Sequence, residues 1–221
     1  SAGLCDTSNL CGALEFAENI SKVGTQPIIG TQINFKFEDT IGLLPLIALN
    51  ESGYKKIIDL SSKSYLENNA HSEPHININE LYKDVGGILV LSGTIHGLFG
   101  KLFDKGRFDE ITKIYQKLSS TFIDRFYLEI QRHGDKNEMS FEKYNLKQSS
   151  KLQIPIIATH EVFYLNQDMH EAHDALTCIG SKTYVNEKNR IKYSDQHYFK
   201  SDEEMSKLFI DLPEALENNY N

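Results

Sequence analysis

The run Gly87-Ile88-Leu89-Val90-Leu91-Ser92-Gly93 constrains the fold more than any other stretch of the chain. Its aliphatic residues follow one another without a polar break and glycines bound it, so it reads as a strand buried on both faces. Such a strand needs cover on both sides, and in α/β proteins helices supply it. The flanking sequence has that pattern. Tyr54, Ile57, Ile58 and Leu60 recur at helical spacing within 51–66, and Leu10, Leu14, Ala17 and Ile20 do so within 9–23. Further helices are expected over 108–122, 140–152 and 168–180, the last ended by Gly180. Ser201-Asp202-Glu203-Glu204 has the capping-box pattern that opens a helix. Strands are expected at 27–35, 43–49, 125–131 and 154–158, with the end of one at 3–5, while the polar, turn-rich 67–79 reads as a loop. Strands alternating with helices indicate βαβ units and a largely parallel sheet. Six or so such units point to a closed or nearly closed barrel.

Composition narrows the function classes. The longest apolar stretch, 41–49, is broken by Pro45 and falls short of the roughly 18 residues a membrane span needs. A net charge of −8 with dispersed basic residues disfavours a direct grip on duplex DNA. Lys182, Lys188, Arg190 and Lys192 form at most a modest basic patch. The three cysteines, Cys5, Cys11 and Cys178, are odd in number and contain no C-x-x-C pair, so reduced thiols in a cytoplasmic protein are expected.

Chemistry-bearing residues gather just after the apolar runs, where α/β folds place their sites. Ala158-Thr159-His160-Glu161-Val162-Phe163-Tyr164-Leu165 begins like the H-E-x-x-H zinc motif, but Tyr164 stands where the second histidine belongs. The zinc-protease reading fails there.

Seven blocks in order carry a more specific signal: GLCDTSNLCGALEF (3–16), QPIIGTQINF (26–35), GGILVLSGTIHG (86–97), FYLEIQRHG (126–134), IPIIATHEVFYL (154–165), HEAHDALTCIGSKTYV (170–185) and SDEEMSKLFIDLPEALENN (201–219). Together they resemble the PHP (polymerase and histidinol phosphatase) domain at the N-terminus of bacterial replicative polymerase catalytic subunits. The resemblance implies an α/β fold, a distorted (β/α)7 barrel lacking here its first β/α unit. It further implies that 1–221 is a single PHP domain from a longer chain. That chain would be a DNA-directed DNA polymerase, a nucleotidyltransferase acting in DNA replication, whose magnesium-dependent polymerising part lies elsewhere.

Active members bind several divalent metals such as zinc or manganese, which lower the pKa of bound water and neutralise the attacked phosphate. Residue by residue, the resemblance implies that this cluster is degenerate. Thr7 stands where the family has histidine, and Gln32 where it has glutamate, losing the charge that holds a hard cation. Thr94 replaces a cysteine or other ligand, and Phe163 replaces a histidine. Asp6, His133 and Glu161 remain as remnant ligands. Three are too few for a multinuclear site, since each metal takes about four to six. No catalytic residue, cofactor or metal is therefore expected in this piece, which would be inactive alone.

The implied role is a scaffold that docks the proofreading exonuclease subunit and the polymerase body, touching DNA only through the parent chain and no membrane. The alternative is a residual metal-dependent phosphoesterase or 3′–5′ exonuclease. Of the other histidines, His160 reads as structural, His170 and His173 as solvated helix residues, and His71 and His75 as loop residues. Glu129 is a structural candidate that could pair with Arg132 or with neighbouring backbone.

Overall fold

The computed structural model describes residues 1–69 and 71–220. The chain separates into two compact units, one of residues 1–129 and 148–155, the other of 130–147 and 156–221.

The first unit is built on a mixed sheet. Strands β1 (Ala2–Thr7), β2 (Pro27–Phe37), β3 (Thr40–Ala48), β5 (Ile88–Leu91) and β6 (Phe126–Ile130) follow one another across it, and the short β4 (Ile76–Asn77) pairs with β2. Two of these pairings correct the expectation of a largely parallel sheet: β2–β3 and β3–β5 are antiparallel. The cause is a two-residue hairpin turn, Glu38-Asp39, with Glu38 at φ +52° and Phe37 paired to Thr40 across it. Lys105 and Arg107 both bond Asp39, so the turn is tied to the segment before the next long helix. The Lys105 hydrogen bond, against burial, holds the Asp39 carboxyl at about 2.

Ile88 and Val90 are fully buried, as the opening run requires. Helix α2 (Glu51–Leu66) has the expected bounds, and Asn50 caps it through the Gly53 amide. Its core face is Gly53, Ile57, Leu60 and Ser64. Ile58 is exposed instead, because it lies a quarter-turn off that stripe. In α1 (Ala13–Lys22) the buried residue is Ala13, and Leu14 faces solvent. Helix α4 (Phe108–Thr121) buries Ile111, Ile114, Tyr115 and Leu118 at the spacing of one helical face. The loop expected over 67–79 ends in β4 and a 3₁₀ turn (Ile78–Tyr82).

Helix α3 (Leu98–Asp104) has no counterpart among the expected elements.

In the second unit, β7 (Ile156–Ala158) is short and wholly buried, and α6 (His170–Ser181) and α7 (Asp202–Leu208) follow it. Helix α5 (Glu138–Leu152) starts here, and α8 (Pro213–Glu217) is the last helix among the described residues. The capping box at Ser201–Glu204 is formed in both directions. Gly180 does not end α6. It lies inside the helix, and Lys182 takes the left-handed cap conformation at φ +54°. From the residues after α8, Asn218 and Asn219 donate to the carbonyls of Ile156 and Ala158, tying the chain end to β7.

Candidate functional site

The implied ligand positions fall in both units. In the first, Thr7 at the end of β1 pairs with Gln32 midway along β2, so the two positions are neighbours. Asp6 precedes Thr7, and its carbonyl accepts from the buried Thr31 hydroxyl at 2.7 Å. The same hydroxyl bonds the Asn9 carbonyl, which fixes the loop after β1. The Thr94 hydroxyl accepts from the His96 amide and is engaged in a local turn.

The second unit holds the densest grouping of titratable rings. Five aromatic rings stack in sequence: His173 on Phe163 (5.1 Å, 7°), Phe163 on His197 (4.8 Å, 21°), His197 on His133 (4.0 Å, 2°) and His133 on His160 (4.4 Å, 29°). Tyr193 tilts against both Phe163 and His197. Phe163 is thus a packing element between two imidazoles, and its ring has no donor to offer a metal.

Three loops position the ladder. His133 lies in the loop after β6, and its amide and that of Gly134 donate to the Glu138 carboxylate at the start of α5. Burial acts to raise the Glu138 pKa, but these hydrogen bonds from His133 and Gly134 hold it below the usual carboxylate range. Beside it, Arg132 makes paired bonds to Glu142 and Asp211 and a further one to the Leu208 carbonyl. His197 is carried by the pairing of Tyr164 with Tyr198, where the Phe163 amide donates to the His197 carbonyl. His160 Nε2–H donates to the Gln196 carbonyl at 2.8 Å. The expectation that His160 is structural agrees with that bond.

His133 and His197 are both buried, at 2% and 1% exposure. Burial is the main cause that pushes His160 and His197 down to about 4, with the neighbouring His133 adding to it. Both are therefore neutral at pH 7, the form in which imidazole binds metals. The donor atoms of His133, Asp135 and His197 lie within 4.8 Å of one another. Asp135 and His197 were not among the sequence candidates. The one available signal was a histidine framed by Tyr193, Tyr198 and Phe199 in an otherwise polar segment.

Other readings change in detail. His170 and His173 are not simply solvated: His170 donates to the Tyr193 carbonyl and His173 stacks on Phe163. His75 donates to the Glu73 carbonyl, as a loop residue would. Arg190 binds Asp174 through two bonds and is not free to join a basic patch. None of the three cysteines forms a disulfide. No helix among the described residues is long and apolar enough to cross a membrane.

Three of the positions that the resemblance assigns to a multinuclear cluster carry poor metal donors. Gln32 is uncharged, Thr7 offers a hydroxyl, and Phe163 is committed to the ring ladder.

The PHP domain family matches residues 1–133, and the chain belongs to that family. Its curated relatives are DNA polymerase III alpha subunits. The Rickettsia bellii subunit is 37% identical over 99% of this chain, the Caulobacter vibrioides one 35% over 98%, and the Borreliella burgdorferi one 37% over 97%. The chain spans only 19% to 20% of the length of these three relatives, and the match is to their PHP domain. A solved structure from Bifidobacterium adolescentis is a looser likeness, with a TM-score of 0.43 and 13% identity over 71% of this chain and 74% of its own.

Proposed function

We propose that the chain is the PHP module of a replicative DNA polymerase III alpha subunit in the cytoplasm, and that it acts as a scaffold. In this reading its phosphoesterase cluster has been given up. The module docks the separate proofreading exonuclease subunit and packs against the polymerase body, and DNA is reached only through the parent chain. The observation that carries the reading is Phe163, a ring with no metal donor at a position where the family has histidine, stacked between His173 and His197. Gln32 beside Thr7 supports it, because a neutral amide next to a hydroxyl offers no anionic ligand.

Docking has a physical rationale. Tethering proofreading to synthesis raises the effective concentration of the exonuclease at the primer end without improving either active site. The competing reading is a residual metal-dependent phosphoesterase or 3′–5′ exonuclease. The remaining positions, Asp6, His133 and Glu161, are too few to serve it.

The test is association of the full alpha subunit with its exonuclease subunit, measured by sedimentation or pull-down. A complex that is lost when the PHP module is deleted is expected. An undiminished complex after that deletion contradicts docking.

A further inference from the structure

Three buried imidazole nitrogens in the ring ladder, His133 Nε2, His160 Nδ1 and His197 Nε2, have no hydrogen-bond partner, and the first and last of them belong to the two parallel rings at its centre. Leaving a polar atom buried and unpaired is costly, so two in adjoining rings call for a physical account. Each ring is meanwhile oriented from its opposite edge. Nδ1 of His197 lies 3.2 Å from the Glu161 carbonyl oxygen, which can only accept. The proton therefore sits on Nδ1, and Nε2 carries the lone pair. Nδ1 of His133 faces the Glu138 carboxylate at 3.7 Å, and that carboxylate is itself held by two backbone amides. Outer nitrogens turned to a carbonyl or carboxylate and inner lone pairs left open are the arrangement that metal-ligating histidines adopt.

Asp135 completes the set, being the carboxylate that shares the 4.8 Å grouping with these two histidines. We propose that His133, Asp135 and His197 form a site for one divalent transition-metal ion of the zinc type. Two imidazoles and one carboxylate suit zinc or cobalt, whereas magnesium and calcium prefer all-oxygen shells. Three protein donors leave a fourth position for water. Of the three, only His133 belongs to the family's ligand positions, so a lone ion here is not a remnant of the multinuclear cluster. It would be structural, clamping the loop after β6 to the segment before α7, and it does not depend on exonuclease docking.

The geometry also states what loading must do. Bonds of about 2.0–2.1 Å in a tetrahedron put donor atoms about 3.4 Å apart, so the donors must draw together. A metal lies close to the plane of each imidazole that binds it, so the parallel His133–His197 stack must open as the ion enters.

Titration of the purified chain with Co²⁺, read by visible ligand-field absorption, tests the site. The expected result is one equivalent bound, displaced by Zn²⁺, with a raised unfolding midpoint that a chelator reverses. Asp135→Asn leaves both histidines in place and should weaken Co²⁺ binding roughly tenfold or more. His197→Phe, checked for folding by circular dichroism, should abolish the band. Absence of binding by the folded chain, or affinity unchanged in both variants, overturns the site. One bound equivalent together with failed exonuclease association would leave this site standing and remove only the docking role.

Discussion

The imidazole rings of His133 and His197 lie parallel, with centroids 4.0 Å apart and planes 2° from each other. They form the centre of a ladder that His160 and Phe163 extend on either side. Two protonated imidazoles at that distance would repel, and burial, which pushes His197 down to about 4, keeps the stack free of that repulsion at neutral pH. The ladder joins the loop after β6 to the two paired segments that carry Phe163 and His197. It is therefore a structural element whether or not a metal enters it.

The Glu138 carboxylate is the support beneath the ladder, because it accepts from the amides of His133 and Gly134. Glu138→Ala leaves these amides without their acceptor in a half-buried loop. The expected loss is about 1–3 kcal/mol of unfolding free energy. Glu138→Gln keeps one acceptor oxygen and should lose less. Urea denaturation of the three proteins measures the order.

Two glycines in helices give opposite expectations. In a helix interior, glycine to alanine stabilises by about 0.8–1.0 kcal/mol through propensity alone. A Cβ on Gly53 would lie 1.7 Å from the Gly87 carbonyl oxygen, a backbone atom that cannot swing aside. Steric overlap outweighs propensity there, and Gly53→Ala should destabilise by about 1–3 kcal/mol. Around Gly180 there is open space, so Gly180→Ala should stabilise by about 0.5–1 kcal/mol. Thermal midpoints moving in opposite directions verify the pair.

Acid stability should depend on Asp174. Its paired hydrogen bonds from Arg190 hold the carboxyl below the ordinary value of 3.8, against the opposing effect of burial. A depressed folded-state pKa means the contribution is complete above about 3.8 and is lost as pH falls below that value. Asp174→Asn should therefore be less stable than the parent at neutral pH, with the gap narrowing in strong acid. Denaturation midpoints across the acid range check the sign. A gap that widens toward low pH contradicts it.

Much of the fold was legible because burial imposes simple periods. Helix α2 has its expected ends, since Asn50 caps it and Ile57 and Leu60 mark the core face. Strand direction was not legible. Glu38-Asp39 looks like an ordinary polar pair, yet it closes the hairpin that makes β2–β3 antiparallel. Helix α3 escaped because seven residues, with glycine inside and before it, show too short a period. The site divides in the same way. His133 could be singled out by resemblance, but Asp135 and His197 could not. His197 reaches the ladder through the Tyr164–Tyr198 pairing, a long-range contact that no local pattern announces.

Restoring one histidine should not restore catalysis. Phe163→His supplies the imidazole that the proposed function takes this position to have lost, but Gln32 and Thr7 stay unable to provide charge or imidazole. Hydrolysis of an activated phosphodiester with manganese or zinc should remain at background in this variant. A rise of tenfold or more would mean that the other positions still assemble a working cluster.

Metal content measured together with phosphodiester hydrolysis on the purified chain tests the central claim, that the phosphoesterase cluster is lost. The account predicts no more than one equivalent of transition metal and no hydrolysis above background. Two or three tightly bound equivalents accompanied by hydrolysis would contradict it.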